Sequence, residues 1–199
     1  DKNISFIGTR FRITEAVKNS FVADNLEEKI MNYENQLGDR FVNDLKSSNE
    51  NVFAEALTLQ DYYGIESQDH RIDILYALRN MGLYIFGDNS WMELIDFSTQ
   101  LARCYQQGNF FTLYENETLY NSSKIAINIS HAQSKLHGFP WRIPDIMASN
   151  ACLVSDYKLI YKDYFGLDIP MYKTAEEAKA IIKELLLDEK ARKEIVISS

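Results

Sequence analysis

The chain has 199 residues, of which 46% are hydrophobic, a size and composition that suit one globular domain. The formal net charge of −8 at pH 7 argues against a nucleic-acid polymer as the main partner, because binding to its phosphates needs a basic surface. No run of about eighteen apolar residues occurs, so the sequence predicts no transmembrane helix.

The first predicted element is a short apolar strand at residues 3–7, followed by a polar turn formed by Gly8, Thr9 and Arg10. From about residue 13 to residue 70, apolar residues recur at three- and four-residue steps without a strand pattern. We interpret residues 13–70 as a helical insertion, a hairpin or lid of two or three helices, placed after the first strand.

The next part of the chain alternates between helical and strand patterns. The predicted helices are residues 71–81, 91–103 and 117–122. The predicted strands are residues 83–86 and 110–113. Gly82 follows the first of these helices as a capping glycine, and Tyr114 follows the last strand.

The stretch at residues 124–156 reads as strand, polar loop, short helix and strand. Its first strand is an apolar β-branched run that ends at Ser130 and His131. Its second strand ends at Ser155 and Asp156. Polar side chains therefore follow both strands.

The short helix between these strands has two different sides. Pro140 or Pro144 suits its first turn, where a missing N–H group costs nothing. The apolar side consists of Ile143, Ile146 and Met147. The polar side, which we expect to face away from the core, consists of Arg142, Asp145 and Ser149.

The last part of the chain predicts a helix at residues 159–165, an extended segment at 169–172 and a final helix to about residue 195. Thr174 and Glu177 have the spacing of a capping box at the start of that final helix. The repeated alternation of strands and helices predicts an α/β fold, a parallel sheet with helices on both faces.

Open parallel sheets bind ligands beyond the carboxyl ends of their strands. We therefore expect the polar residues that follow the strands to gather on one edge of the sheet. They are Gly8-Thr9-Arg10, Gly87-Asp88, Tyr114-Glu115, Ser130-His131 and Ser155-Asp156.

The stretch that ends at Asp156 resembles the signature of the carboxy-terminal domain of GT-B glycosyltransferases, of the glycosyltransferase group 1 or CgeB-like type. The residues that match the family pattern are Gly138, Pro140, Arg142, Ala148 and Ser155-Asp156. The chain departs from the pattern at Asp145, which replaces the usual Glu, and at Asn150, where Gly is common. The resemblance covers mainly residues 71–190, together with the first strand and its glycine turn.

This resemblance implies that residues 1–199 are a single Rossmann-like domain that binds a nucleotide sugar. Members of this family transfer a sugar from a nucleoside-diphosphate sugar to an acceptor, without a cofactor and usually without a bound metal. The amino-terminal domain that would bind the acceptor, a glycan or a protein, is then missing here. We expect the isolated chain to be inactive alone, and we leave a homo-oligomer open.

The chemistry of such a donor assigns roles to individual residues. A diphosphate needs backbone N–H groups, which the His137-Gly138-Phe139 turn can supply, and a cation, for which Arg10, Lys135 and Arg142 are the candidates. Asp145 stands where the family's Glu accepts hydrogen bonds from the ribose. The donor-binding candidates are Gly8, Thr9, Arg10, Tyr114, Ser130, His131, Lys135, His137, Gly138, Phe139, Arg142 and Asp145. The catalytic residues are unknown, with His131 and Arg142 as candidates.

Other interpretations stay open. The sequence lacks the GxGxxG, Walker A and GxSxG patterns, which disfavours dehydrogenases, P-loop enzymes and α/β-hydrolases. A GT-B-type nucleotide-sugar epimerase and a non-catalytic scaffold of the same architecture are the alternatives. Asp145 can also act as an i,i+3 partner of Arg142 without any ligand. Cys104 and Cys152, read as reduced thiols, favour the cytoplasm, with association to the cytoplasmic face of a membrane left open.

Overall fold

A computed structural model of the chain describes residues 2–11, 50–108, 112–134, 138–166 and 168–198. The chain divides into two units, residues 1–10 with 69–199 and residues 11–68. Of the second unit, the structure describes Phe11 and the first part of helix α1, which spans Glu50–Leu78. The rest of the predicted insertion at about 13–70 lies outside the described residues.

The larger unit is built on a six-stranded, entirely parallel sheet with the order β3-β2-β1-β4-β5-β6. The strands are β1 (Lys2–Ile7), β2 (Leu83–Phe86), β3 (Tyr105–Gln106), β4 (Ser123–Asn128), β5 (Cys152–Asp156) and β6 (Met171–Tyr172). Ile4 of β1 pairs with Leu83 on one side and with Ile125 on the other. The order therefore reverses between β1 and β4, which is the Rossmann arrangement, and the predicted α/β, Rossmann-like fold is confirmed.

Helices connect successive strands, and two more follow the last strand. After α1 the connecting helices are α2 (Thr99–Ala102), α3 (Leu113–Asn121), α4 (Arg142–Met147) and α5 (Leu159–Phe165). The helices α6 (Ala175–Leu187) and α7 (Glu189–Ser198) follow β6. Two short 3-10 helices span Asn89–Ile95 and Ala132–Ser134. None of the helices within the described ranges has the length and apolar character needed to cross a membrane.

The apolar core lies on both faces of the sheet, because side chains alternate along each strand. On one face Ile125 and Ile127 of β4 pack in a cluster with Leu75 of α1. On the other face Ala126 packs in a separate cluster with Ile143 of α4. Helices α1 and α4 therefore cover opposite faces of the sheet.

Helix α1 corrects the predicted start of a helix at residue 71. The helix runs without a break from Glu50 to Leu78, since this segment contains no proline and Gly64 within it does not end the helix. Gly82 lies beyond the helix end, in the turn before β2. It has a φ of +76°, and its carbonyl oxygen accepts a hydrogen bond from Ile4 N at 3.1 Å.

The third strand was also wrongly predicted. At the edge of the sheet, β2 pairs with Tyr105–Gln106, and residue 113 of the predicted strand 110–113 belongs to α3. Thr112 caps α3, because its hydroxyl accepts from Glu115 N while the Glu115 side chain accepts from Thr112 N. The predicted helix 117–122 consequently begins at Leu113, and residues 109–111 lie outside the described residues.

Two segments that were each predicted as one long helix contain two helices in the structure, separated by a side-chain cap. In the segment 91–103, Ser98 accepts a hydrogen bond from Leu101 N and starts α2 separately from the preceding 3-10 helix. In the carboxy-terminal segment, Asp188 accepts from Ala191 N at 2.9 Å and separates α6 from α7. Ser and Asp favour caps over helix interiors, because their side chains bond to nearby backbone N–H groups.

Candidate functional site

The carboxyl ends of β1 and β4 lie side by side where the strand order reverses. Beyond β1 the chain continues into Gly8, Thr9 and Arg10, and beyond β4 it continues into Ile129 and Ser130. In open parallel sheets the ligand crevice lies at this position. The edge formed by these residues is therefore the candidate site.

Two arginine side chains converge at this edge. Arg71 of α1 donates hydrogen bonds to the carbonyl oxygens of Thr9 at 2.5 Å and Ile129 at 3.3 Å. Arg142, the first residue of α4, donates to the same Ile129 oxygen at 3.3 Å. Both guanidinium groups lie near the ring of Phe6, at 5.7 and 5.4 Å from its centroid, which is within cation–π range. Helices on opposite faces of the sheet thus deliver two cations to one place.

The two cations are held in an environment that disfavours their charge. Arg71 is only 2% exposed, and Arg142 is half-buried. Burial lowers the pKa of both guanidinium groups, and the charge of Arg142 lowers the pKa of Arg71 further. Guanidinium groups nevertheless stay protonated at neutral pH. An anion bound beside them would relieve this repulsion, so the arrangement favours anion binding.

A carboxylate at the end of β5 partly offsets these charges. Asp156 accepts hydrogen bonds from Ser130 N at 3.0 Å and Ser130 Oγ at 2.9 Å. It also accepts from Asn128 Nδ2 at 3.0 Å and Ser155 Oγ at 3.1 Å. Its negative charge acts against burial by raising the pKa of both arginines. Among the contacts of the described residues, this carboxylate faces two guanidinium groups.

Two buried tyrosines complete the polar network beneath this edge. The Tyr172 hydroxyl donates to the carbonyl oxygen of Asn128 at 2.7 Å, and the Tyr161 hydroxyl lies 3.3 Å from Ser130 Oγ. Burial raises the pKa of both phenols, so they stay protonated at neutral pH. The network fixes the ends of β4 and β5 relative to α5 and β6.

Gly8 and Gly87 allow β1 and β2 to end in close contact. Gly8 N donates to Phe86 O at 2.9 Å, and the Trp91 indole donates to Gly8 O at 2.8 Å. A Cβ atom at Gly8 would lie 2.8 Å from the Phe6 ring and 3.3 Å from Arg142 Nη2. The space next to Gly8 is therefore occupied by the chain's own side chains.

Arg10 is buried rather than solvated. Its guanidinium forms an ion pair with Glu93 at 2.5 Å, and Glu93 belongs to the 3-10 helix that follows β2. Thr9 is exposed, and its carbonyl oxygen accepts from Arg71 as described above. The predicted turn thus contributes backbone to the site, while the Arg10 side chain links β1 to the segment after β2.

The loop after β4 brings further predicted residues to the same edge. Ser130 is buried in the Asp156 network, and His131 beside it is half-buried. Burial and the charge of Arg71 lower the pKa of His131, so its imidazole is neutral at pH 7. Lys135 and His137 lie outside the described residues. Gly138 has a φ of +82°.

Three further predicted residues lie near helix starts: Phe139 before α4, Asp145 in α4 and Tyr114 in α3. The Phe139 ring packs against Tyr164 and Phe165, with centroid distances of 5.0 and 4.9 Å. Asp145 lies in the first turn of α4, and burial raises its pKa. Tyr114 is 77% exposed on the first turn of α3 instead of lying on a loop.

Helix α4 matches its predicted pattern in most respects. Ile143 and Ile146 are fully buried, and Pro144 lies in the first turn. The alternative i,i+3 ion pair between Arg142 and Asp145 is not formed among the described residues, because Arg142 points to Ile129 O instead. Ser149, expected on the outward side, is buried and donates to Ile146 O at 2.7 Å.

Sequence reasoning missed Arg71 as a site residue. Arg71 is four and seven residues before Leu75 and Leu78, so it lies in line with the apolar stripe of α1. A charged residue at a core-facing position is a signal for a buried functional group. Asn128 was likewise missed, whereas Asp156 was predicted at this edge of the sheet but was not assigned to donor binding.

The family comparison fits this geometry. Residues 71–198 match the model of a family described as glycosyl transferase-like, and this range contains β2 to β6 and both converging arginines. No curated protein matches the chain, and no solved structure does. Because the matched range covers well over half of the 199 residues, the chain belongs to the glycosyl transferase-like family.

Proposed function

We propose that this chain is the donor-binding domain of a GT-B glycosyltransferase, which moves a sugar from a nucleoside-diphosphate sugar to an acceptor. Family membership supports glycosyl transfer. The convergence of Arg71 and Arg142 at the reversal of strand order is the observation that carries the donor assignment. A diphosphate is the part of the donor whose charge matches this pair.

In this proposal the two guanidinium groups act mainly on the leaving diphosphate. As the bond between the sugar and the diphosphate breaks, negative charge builds up on the departing oxygen. Cations fixed beforehand in a partly buried site stabilise that charge more than mobile cations in water would. Arg71 and Arg142 are held in this way by backbone carbonyls and by the Phe6 ring.

The remaining donor contacts follow from the position of each side chain. Asp145, in the first turn of α4, accepts hydrogen bonds from the ribose hydroxyls, at the position where the family's Glu does so. His131, neutral at pH 7, is a hydrogen-bond partner for a sugar hydroxyl. In this proposal the acceptor glycan or protein is bound by another domain, so the isolated chain binds donor and transfers little sugar.

The test is thermal unfolding of the protein in the presence of UDP, GDP, ADP, CMP and their sugars. We expect one nucleotide to stabilise the protein selectively, by about 2.7 kcal/mol at a hundred times its dissociation constant. Arg71→Gln, Arg142→Gln and Asp145→Ala should each remove most of this stabilisation. Arg103→Gln removes an exposed arginine outside the site and should leave it unchanged.

Each remaining outcome points to an alternative. No stabilisation by any of these nucleotides would contradict the donor assignment and favour a non-catalytic scaffold. Binding of a nucleotide sugar followed by its conversion without any acceptor would favour an epimerase of the same architecture. Stabilisation that persists in Arg71→Gln and Arg142→Gln would mean that the nucleotide binds elsewhere on the chain.

A further inference from the structure

The segment after β5 holds the loop after β4 through two charged side chains. Asp156 accepts hydrogen bonds from the backbone N and the hydroxyl of Ser130, at 3.0 and 2.9 Å. Two residues further on, Lys158 Nζ donates to the carbonyl oxygen of Ser134 and to Ser134 Oγ, the latter at 2.9 Å. An anion thus binds one end of the loop 130–134, and a cation binds the other.

The residues between these ends form one closed turn. Ser134 N and Ser134 Oγ both donate to the carbonyl oxygen of His131, at 2.9 and 2.8 Å. The 3-10 helix Ala132–Ser134 lies within this turn, and His131 lies at its start. Fixing Ser134 therefore also fixes the backbone of His131.

Lys158 makes this contact from a buried position. The residue is only 6% exposed, and a buried ammonium group is costly unless it is hydrogen-bonded. Hydrogen bonds with one charged partner are stronger than those between neutral groups. The loop has little apolar anchoring of its own, with Ala132 as its buried apolar side chain. Charged anchors at both ends hold such a loop in one conformation before a ligand arrives.

We propose that Lys158 and Asp156 are positioning residues, which keep residues 130–134 in the conformation that receives the donor. This inference rests on the proposed function, because it concerns the same site. Neither side chain needs to touch the nucleotide. Their effect on binding is transmitted through Ser134 and Ser130 to the backbone beside His131.

The experiment compares Lys158→Met, which keeps the length of the side chain but removes its charge, with Lys158→Arg, which keeps the charge. Hydrogen exchange of the backbone amides at residues 130–134 is measured in the free proteins, and binding of UDP, GDP and ADP is measured by calorimetry. We expect Lys158→Met to speed exchange in this loop by about tenfold or more and to weaken nucleotide binding by about tenfold. Lys158→Arg should restore most of both, and Lys183→Met, on the exposed side of α6, should change neither.

A milder variant covers the case in which Lys158→Met does not fold. Ser134→Ala removes the hydroxyl that joins Lys158 to the His131 carbonyl, and it should speed exchange in the same loop to a smaller extent. Unchanged exchange in both variants would overturn the anchoring role. Faster exchange with unchanged nucleotide binding would overturn the positioning role. If the unmodified protein binds none of the three nucleotides, the proposed function fails, and the positioning role fails with it. The hydrogen-exchange data then still decide whether Lys158 anchors the loop.

Discussion

Gly87 has no room for a side chain, because a Cβ atom there would lie 2.2 Å from the carbonyl oxygen of Gly8. That neighbour is backbone and cannot rotate away. At Gly8 the nearest atoms belong to the Phe6 ring and Arg142 Nη2, at 2.8 and 3.3 Å, and side chains can shift. For a Cβ atom at Gly138, no atom of the described residues beyond its chain neighbours lies within 4 Å, and the φ of +82° is what opposes a side chain there.

These differences predict a ranking of three alanine variants. Gly87→Ala should destabilise the protein by about 3 kcal/mol or more, and Gly8→Ala by about 1–3 kcal/mol, as overpacking does in cores. Gly138→Ala should cost about 1–2 kcal/mol, from backbone strain alone. Urea denaturation measures all three. Equal losses in the three variants would contradict the contact-based explanation.

Residue positions were predictable from sequence where a local pattern determines them. Arg142 and Asp156 belong to one continuous stretch, residues 124–156, whose local pattern of strand, loop, helix and strand is visible in the sequence. Arg71 reaches Ile129 across 58 residues of sequence, and such an approach depends on how the sheet is assembled. The ion pair of Arg10 with Glu93, 83 residues away, was not predictable for the same reason.

At the level of elements, those enclosed by turn residues were predicted well. The strand β2 and the helix α5 both have the predicted bounds. β3 has only two residues, which is too short for an alternating strand pattern in the sequence. It is a strand because it pairs with β2. The helix starts that were missed depend on single caps such as Thr112, which are easy to overlook in a polar segment.

The cap of α3 gives a prediction at this scale. Thr112→Ala removes the hydroxyl that accepts from Glu115 N, and it should cost about 0.5–2 kcal/mol of unfolding free energy. Thr112→Ser keeps the acceptor and should cost less. Thr118 is the matched control, because its hydroxyl donates to Tyr114 O inside the same helix.

Urea denaturation of the three variants decides whether Thr112 acts as a cap. Thr118→Ala should be neutral or slightly stabilising, since alanine favours helix interiors more than threonine does. A loss in Thr118→Ala as large as that in Thr112→Ala would show that threonine packing, and not the cap, stabilises α3.

For the whole molecule, net charge and local charge point to different partners. The value of −8 is a sum over the whole chain, and the argument drawn from it concerns extended phosphate backbones rather than small anions. Arg71 and Arg142 converge within an otherwise acidic protein, and only the fold brings them together. A small anion can bind such a cluster where a nucleic-acid polymer would meet repulsion from the rest of the surface.

Two histidines make the stability of the whole unit depend on pH. Burial is the main cause that lowers the pKa of both His70 and His131 below the ordinary value of 6.5. His70 also faces Asp156 and Asp73, which raise its pKa, and Arg71, which lowers it. Well above pH 6.5, from about pH 7.5 upward, both imidazoles are neutral in the folded and unfolded states, so they contribute no pH dependence there.

Below pH 6.5 the unfolded chain takes up protons at these histidines before the folded protein does. The unfolding free energy should therefore fall as the pH drops from 6.5 towards 5.5, a range in which ordinary carboxylates are still ionised. Urea denaturation at several pH values measures this slope. His70→Gln and His131→Gln should each flatten it, and the double variant should flatten it most. A slope that both variants leave unchanged would assign the acid sensitivity to groups other than these buried imidazoles.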